Sequence, residues 1–424
     1  MSAVILFTSF IALIFMGLPI AFSMGLSSLI YLALMDIPFI IISQKLFTGI
    51  NSFVLLCIPG FVLAGNLMNT GGITKRIIKF SNAAIGHIRG GLSLANIVAS
   101  MIFAGITGTA IADTTSLGAI LIPAMEEEGY DVPFSVAVTA ASSTIGPIIP
   151  PSLPMIIVGT LTGLSVSKLF LGGAIPGILL GLFLMAAAYI ISIKRGYPKD
   201  TKKPFSVVVK TFLDAFWALM LTFIILWGIL GGVFTPTEAS IVASLYALIV
   251  GLFVYKELKI AQLPGIILST MKTSAAIMML VGFASTFGWI LASEQIPQLV
   301  ADFILSISSD KVVVLILINI LLLFVGMFME TIAALIILFP VLLPVALKIG
   351  MDPIHFGVMA VLNLMIGLTT PPVGVCLFAG ASIGKISIAK ATKAILPFLA
   401  VSLLVLTLVT FIPEITLFLP NLLK

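Results

Sequence analysis

Long apolar runs separated by short polar breaks fill this chain. They fall roughly at 3–16, 19–35, 50–69, 91–106, 109–125, 133–163, 168–193, 211–233, 237–255, 273–292, 311–327, 330–348, 353–383 and 390–419. A helix needs about 20 apolar residues to cross a bilayer, so the pattern predicts an all-α polytopic membrane protein. The run from Ser2 to Leu34 is too long for one crossing, and Gly17-Leu18-Pro19 predicts a turn that divides it. Four runs (91–106, 109–125, 311–327 and 330–348) are short for a crossing. Two others, 133–163 and 353–383, are interrupted by Gly and Pro.

These irregular runs belong to an internal repeat. Gly105 pairs with Gly326 (326 − 105 = 221), and the same offset pairs Pro123 with Pro344, Gly129 with Gly350, and Asp131 with Asp352. It continues through Gly146 with Gly367, Pro150 with Pro371, Pro151 with Pro372, Gly159 with Gly380, Gly163 with Gly384, and Pro176 with Pro397. In each copy two short runs flank a break, at Gly105–Thr109 and at Gly326–Thr331. We read each pair as a re-entrant hairpin whose tip stops inside the membrane. A broken helix follows, interrupted at Ser142–Ser152 and at Asn363–Pro372. Proline lacks the amide proton and clashes with the preceding turn, so these helices must unwind. Irregular backbone at membrane depth is tolerated only against protein or a water-filled cavity.

Composition narrows the function classes. Hydrophobic residues make up 60% of the 424 and charged residues 9%, against about 25% charged in soluble domains. Mean hydropathy is +1.29. A soluble enzyme, a nucleic-acid binder and a disordered chain are excluded. The longest polar stretch, Lys194–Lys210, is too short to fold alone, and no Walker-type loop is present. The N-terminus has no positively charged n-region, so no cleaved signal is expected. Cys57 and Cys376 lie in apolar runs and read as small buried hydrophobes.

Charge sets an expected topology. Lys and Arg cluster at 75–89, 194–210, 256–272 and 385–393, which predicts four cytoplasmic loops. Three crossings precede Lys75, so the N-terminus, and by the same count the C-terminus, are expected in the periplasm. Lys75–Arg89 then leads into the first copy from one side and Glu294 and Asp310 into the second from the other. The copies are thus inverted, as in many secondary transporters, whose sites lie at the repeat interface near the midplane.

Unwinding at that depth has a chemical use. Helix C-termini carry partial negative charge and suit Na+, and helix N-termini suit a carboxylate. The candidate Na+ residues are Gly105, Ser142, Ser143, Thr144, Gly146, Gly326, Asn363, Gly367, Thr369 and Thr370, and two sites by symmetry imply at least two ions. The candidate substrate residues are Thr107, Gly108, Thr109, Asp113, Met329, Glu330, Thr331, Pro150 and Pro371. Glu330 either faces the cavity or a cation, or caps the second hairpin arm. Asp113 is either functional or in buried polar contact with Thr114 or Thr115. Glu238, Asp131 and Asp352 read as caps at helix starts, and His87 and His355 as loop or interfacial residues without a metal. Lys168, Lys348 and Lys385 lie near segment ends, so an anion is expected to rely on helix N-termini and bound Na+. A channel remains an alternative. An intramembrane enzyme would need catalytic groups such as a transmembrane His or a Ser–Lys pair, which the sequence lacks.

Three motifs carry a family resemblance over essentially the whole chain: Gly232-Val-Phe-Thr-Pro-Thr-Glu238-Ala239, Gly146-Pro-Ile-Ile-Pro-Pro-Ser152 and Gly367-Leu-Thr-Thr-Pro-Pro-Val-Gly374. With them the chain resembles the large membrane subunit of tripartite ATP-independent periplasmic (TRAP) transporters. The resemblance implies an elevator-type Na+-coupled importer of carboxylates, including sialic acids and C4-dicarboxylates, in the inner membrane. It implies scaffold segments over 1–90 and 166–310, transport half-domains over 91–165 and 311–385, and a C-terminal helix over 386–424. It also implies two partners, a small membrane subunit on a separate chain and a periplasmic substrate-binding protein. A carboxylate transporter without a binding protein is the alternative.

Overall fold

The computed structural model describes residues 2–107, 109–308 and 310–422, with side chains for all of these except 2, 3 and 104–107. Among the described residues every regular element is helical. α1 (Ser2–Phe15) and α2 (Ile20–Leu34) are divided at Gly17, whose φ of 86° a glycine adopts without strain. α3 (Ile40–Ile50) meets α4 (Cys57–Thr70) at a bend of 66°, with a 3-10 turn at Val54–Leu56 between them. α5 (Ile73–Ile85) follows. Then come α6 (Gly91–Thr107), α7 (Ala110–Glu127), α8 (Val132–Ser143), α9 (Leu153–Thr162) and the 30-residue α10 (Val166–Arg195). α11 (Phe205–Leu230), α12 (Pro236–Ile249, continued by a π-helical turn at Val250–Val254) and α13 (Leu263–Ser293) are apolar rods of spanning length, and α14 (Ile296–Ile307) is short. The chain closes with α15 (Lys311–Gly326), α16 (Thr331–Lys348), α17 (Pro353–Gly367), α18 (Val375–Ile383), α19 (Ile388–Phe411) and α20 (Glu414–Leu422).

Among the described residues six helices are long and apolar enough to cross a membrane, or seven if α3 and α4 form one bent span. One of them, α16, differs from the rest. Its apolar window is 67% buried inside the protein, whereas the windows of the other five are 33–44% buried. It is an interior element, not a lipid-facing rod.

The 221-residue offset recurs in the elements. α7 starts at Ala110 and α16 at Thr331, and both run 18 residues. Their N-caps, Thr109 and Glu330, hold the same offset. So do two cis peptide bonds, Pro150–Pro151 and Pro371–Pro372, at the breaks between α8 and α9 and between α17 and α18.

The halves interlock. α9 packs on α16 and α17 of the second copy, while α18 packs on α7 and α8 of the first. α10 and α19 lie against each other and close this assembly. A second set packs around α13, with α2, α3 and α4 against it and α12 against α4. In lipid no hydrophobic term drives helices together, so close approach of small residues supplies the attraction. The second set shows this device. A Cβ on Gly60 would stand 2.2 Å from Ser240 Oγ, and one on Gly49 would stand 2.4 Å from Ser285 Cβ.

Polar anchors fix the loops. Thr235 and Glu238 form a reciprocal capping box at the start of α12, so Glu238 is a cap. Arg76 on α5 reaches Glu257 at 2.6 Å and Asp214 at 3.4 Å, and lies 3.8 Å from the Tyr255 ring centroid. Cys57 and Cys376 are free and buried.

Four expectations need correction. The run read as starting at residue 50 is preceded by a separate helix, α3, which packs on α13. The final run is not one helix, because Pro413 ends it and α20 folds back on α10. Asp131 makes no side-chain cap, and its carboxylate instead accepts from Arg195 at 2.9 Å and Tyr197 at 2.7 Å. His355 is not a loop residue. It sits in the first turn of α17, 2% exposed, with Nδ1 at 2.7 Å from Thr416 Oγ1 and Nε2 at 3.3 Å from the Thr410 carbonyl. Asp352, the counterpart of Asp131 in the repeat, does cap, accepting from the Ile354 and His355 amides.

Candidate ion and substrate site

The hairpin tips are built by helix capping. Thr109 turns into extended backbone and accepts from the Ala112 amide. Glu330 accepts from the Ile332 and Ala333 amides at 2.9 and 3.3 Å. Glu330 therefore caps α16, where a carboxylate also suits the helix dipole. Of the residues read at the first tip, Gly108 lies outside the described residues, and Gly105 and Thr107 are described only as the last turn of α6. Met329 is half-buried and its amide donates to Val325. Thr331 is fully buried, and its hydroxyl has no partner.

The broken helices meet these tips. At the first break Ser142, Ser143, Thr144, Gly146 and Pro150 are all buried. Ser100 on α6 donates to Ser142 at 3.0 Å, and Thr114 on α7 donates to Ser143 at 2.6 Å. Cys376 on α18 sits beside Thr114 and Ser143, so both repeats contribute to one buried polar cluster. Thr144 stands apart, bonded back to Ala141. Ser152 donates to the Pro147 carbonyl and accepts from the Met155 amide, which starts α9 beyond the break.

Asp113 projects into this cluster with 0% exposure beside the Ser100 hydroxyl, and among the described residues neither carboxylate oxygen has a partner in good hydrogen-bond geometry. The expected contact with Thr114 or Thr115 is absent. Thr114 serves Ser143, Thr115 bonds to the Ile111 and Ala112 carbonyls, and the nearby Ser100 hydroxyl turns to Ser142.

The second break is less enclosed. Pro371 is half-buried, and Pro372 and Val373 are exposed. Thr369 and Thr370 bond to the Ile366 carbonyl. The Gly374 amide donates to Met327, which ties the break to the second hairpin tip. Here Gly367 lies directly against Gly326. One turn earlier, Asn363 donates to Asn319 on α15, and its own Oδ1 is buried without a partner.

Buried oxygens without donors are rare in folded proteins and call for an explanation. Asp113, Thr331 and Asn363 supply four such atoms around the tips and breaks. Oxygen ligands of this kind suit a hard cation. Asn363 was legible as a candidate. Asn319 was not read from the sequence, although it is the one polar residue between Val312 and Val325. Ser100 and Asn96 on α6 were also missed, and Asn96 donates to Thr139 at 2.7 Å.

A narrow cavity of about 110 Å³ opens beside the first tip, lined among others by Asn66, Asn69, Thr109, Ser116 and Thr273. Asn69 on α4 donates across it to Ser116 on α7 at 3.2 Å.

A family described as "Tripartite ATP-independent periplasmic transporter, DctM component" matches residues 7–415. The chain belongs to this family. Among DctM-type relatives, the sialic acid TRAP transporter large permease protein SiaM of Vibrio cholerae is 44% identical and is covered over 97% of both chains. The C4-dicarboxylate TRAP transporter large permease protein DctM of Rhodobacter capsulatus is 38% identical over 100% of both. The fold of the YdaH transporter of Alcanivorax borkumensis is similar, with a TM-score of 0.62 at 14% identity, covering 87% of this chain and 86% of that one. A DctM component is a transporter subunit and not an enzyme.

Proposed function

We propose that this DctM component imports an organic acid anion, of the sialic acid or C4-dicarboxylate type, coupled to Na+ across the inner membrane. The observation that carries the coupling is the set of buried, unpartnered oxygens on Asp113, Thr331 and Asn363. Cations moving with the substrate would meet these oxygens and the partial negative charge at the C-terminal ends of α8 and α17. At least two ions fit the two repeats, one beside Ser142 and Ser143 and one beside Asn363, Thr369 and Thr370.

The substrate would enter the cleft between α4 and α7, against Thr109 and the first tip. An inverted arrangement of the repeats, with both termini in the periplasm, follows the charge pattern. Alternating access by an elevator motion would carry the tips and breaks past the set around α13. The names of the sialic acid and C4-dicarboxylate relatives support carboxylate substrates, and the family's description as tripartite and periplasmic supports the expected assembly with a small membrane subunit and a periplasmic binding protein.

The test is uptake of labelled sialic acid and of labelled succinate by proteoliposomes holding the chain with its membrane partner. Uptake should need an inward Na+ gradient and the binding protein. Equal uptake after replacement of Na+ by choline refutes the coupling. Undiminished uptake without binding protein establishes the alternative, a free-standing carboxylate transporter.

A further inference from the structure

α15 is apolar from Val312 to Val325 except at Asn319. A carboxamide there is costly in lipid or in a dry interior unless its groups are paired. The structure shows how it is paired. Asn319 Nδ2 donates to the Leu315 carbonyl at 2.8 Å and to Thr410 Oγ1 at 3.4 Å. Asn363 Nδ2, on α17, donates to the Asn319 carbonyl at 2.9 Å and to Asn319 Oδ1 at 2.8 Å.

The chain of donors has only one direction. The nitrogen and oxygen of a carboxamide look alike, and the network decides which is which. Here each amide faces a backbone carbonyl, which can only accept, so the facing atom must be the NH2 in both. Both hydrogens of each nitrogen are then used. Asn319 Oδ1 is used as well. One atom is left over, Asn363 Oδ1, in a residue with 0% exposure. Asn363 lies one helical turn before the break at Gly367 (367 − 363 = 4), on the seam where α15 and α17 meet.

We infer that Asn319 is a positioning residue for cation binding: it locks the Asn363 carboxamide so that its oxygen, not its nitrogen, is presented to an ion at the α17–α18 break. The inference rests on the Na+ coupling proposed above and names a part of the site that touches no ion. At the matching positions the first repeat has no such device, although Asn96 on α6, which donates to Thr139, also keeps a buried Oδ1 without a partner. The positions equivalent to Asn319 and Asn363 are Val98 (319 − 221 = 98) and Ser142 (363 − 221 = 142). Ser142 is held instead by a hydroxyl, that of Ser100. The two cation seats are therefore chemically unequal, the second having an amide oxygen where the first has the Ser142 hydroxyl. Without the Asn319 side chain the Asn363 amide keeps only the residue-319 backbone carbonyl as acceptor and loses the second of its two bonds, so its oxygen is held less firmly toward the ion.

The experiment uses the purified full-length chain and follows thermal stabilisation by Na+, titrated against choline at constant ionic strength. Wild type should gain stability with Na+. Asn319→Leu should need about tenfold more Na+ for half of that gain, the size expected for losing a hydrogen-bonded ligand orientation. Its stability in choline alone should stay near wild type, and its preference for Na+ over Li+ should change, which loss of packing alone would not produce. Thr410→Val removes one acceptor of Asn319 and should need about two- to threefold more Na+. It also decides the matter if Asn319→Leu fails to fold. A wild type that responds to Na+, with both variants responding at the same concentration, overturns the positioning role and leaves the coupling intact. A wild type indifferent to Na+ overturns the coupling and this inference together.

Discussion

Gly367→Ala tests the seam between the second hairpin and its broken helix. Gly367 has ordinary helical backbone, so alanine would be preferred there if only local conformation mattered. Space forbids it. The new Cβ would stand 2.7 Å from both the Cα and the carbonyl carbon of Gly326, and 3.1 Å from its oxygen. Carbon atoms rest at about 3.5–4.0 Å, so α15 and α17 must part by about 1 Å. These are backbone atoms and cannot turn aside. The same displacement stretches the Asn363–Asn319 bonds, now 2.8 and 2.9 Å, past the hydrogen-bonding range of about 3.2 Å. Overpacking and two weakened bonds together cost roughly 2–5 kcal/mol. The assay is thermal stability of the purified chain together with Na+-driven uptake in proteoliposomes. Stability should fall and uptake should drop at least roughly tenfold, because about 1.4 kcal/mol at the site is already a factor of ten. Gly288→Ala and Gly265→Ala are the controls, since a Cβ at either meets nothing within 4 Å. They should be neutral or slightly stabilising. If Gly367→Ala behaves like these two, the glycine contact does not hold the site together.

Glu330→Ala should weaken the α16 cap by about 1 kcal/mol and slow uptake, while Glu330→Ser should keep most of it; equal loss in both would mean that the charge matters rather than the cap. Asp113→Asn should abolish Na+-driven uptake if the carboxylate holds an ion, and wild-type uptake in that variant would remove Asp113 from the ion path. Ser142→Ala and Thr370→Val should each raise the Na+ concentration for half-maximal uptake severalfold, and unchanged values would displace both proposed seats. Arg76→Ala should lower thermal stability without altering the Na+ requirement, and Arg76→Lys should not restore it, since an ammonium lacks the planar face that lies over Tyr255.

The repeat was legible because Gly and Pro carry backbone geometry in the sequence itself. Offset 221 placed the second copy, and the starts of α7 and α16 obey it to the residue. Boundaries were less legible where short helices interrupt apolar runs. α3, α14 and α20 lack the length of a span and are defined by what they pack on, α13, α16 and α10 respectively. Single side chains depended on distance in space. Asp131 has a capping position and residue type, yet Arg195 and Tyr197, 64 and 66 residues away, claim its carboxylate. Asn319 was visible as a lone polar residue, but its partner lies 44 residues on. Asp113 was legible as a buried acid, and its lack of partners was not.

The interlock of the two copies bears on how the chain is made. α9 is synthesised long before α16, the helix against which it packs, and α7 must wait for α18. Between these events the ribosome adds about 170 to 270 residues, which takes tens of seconds at roughly 5–20 residues per second. During that interval the first hairpin rests only on helices made before the second copy, α8 above all, and lacks α18, which brings Cys376 beside Thr114 and Ser143. A chain halted after α14 should therefore remain a substrate for quality control, and the first copy alone should not accumulate. Supplying the second copy as a separate polypeptide should rescue it.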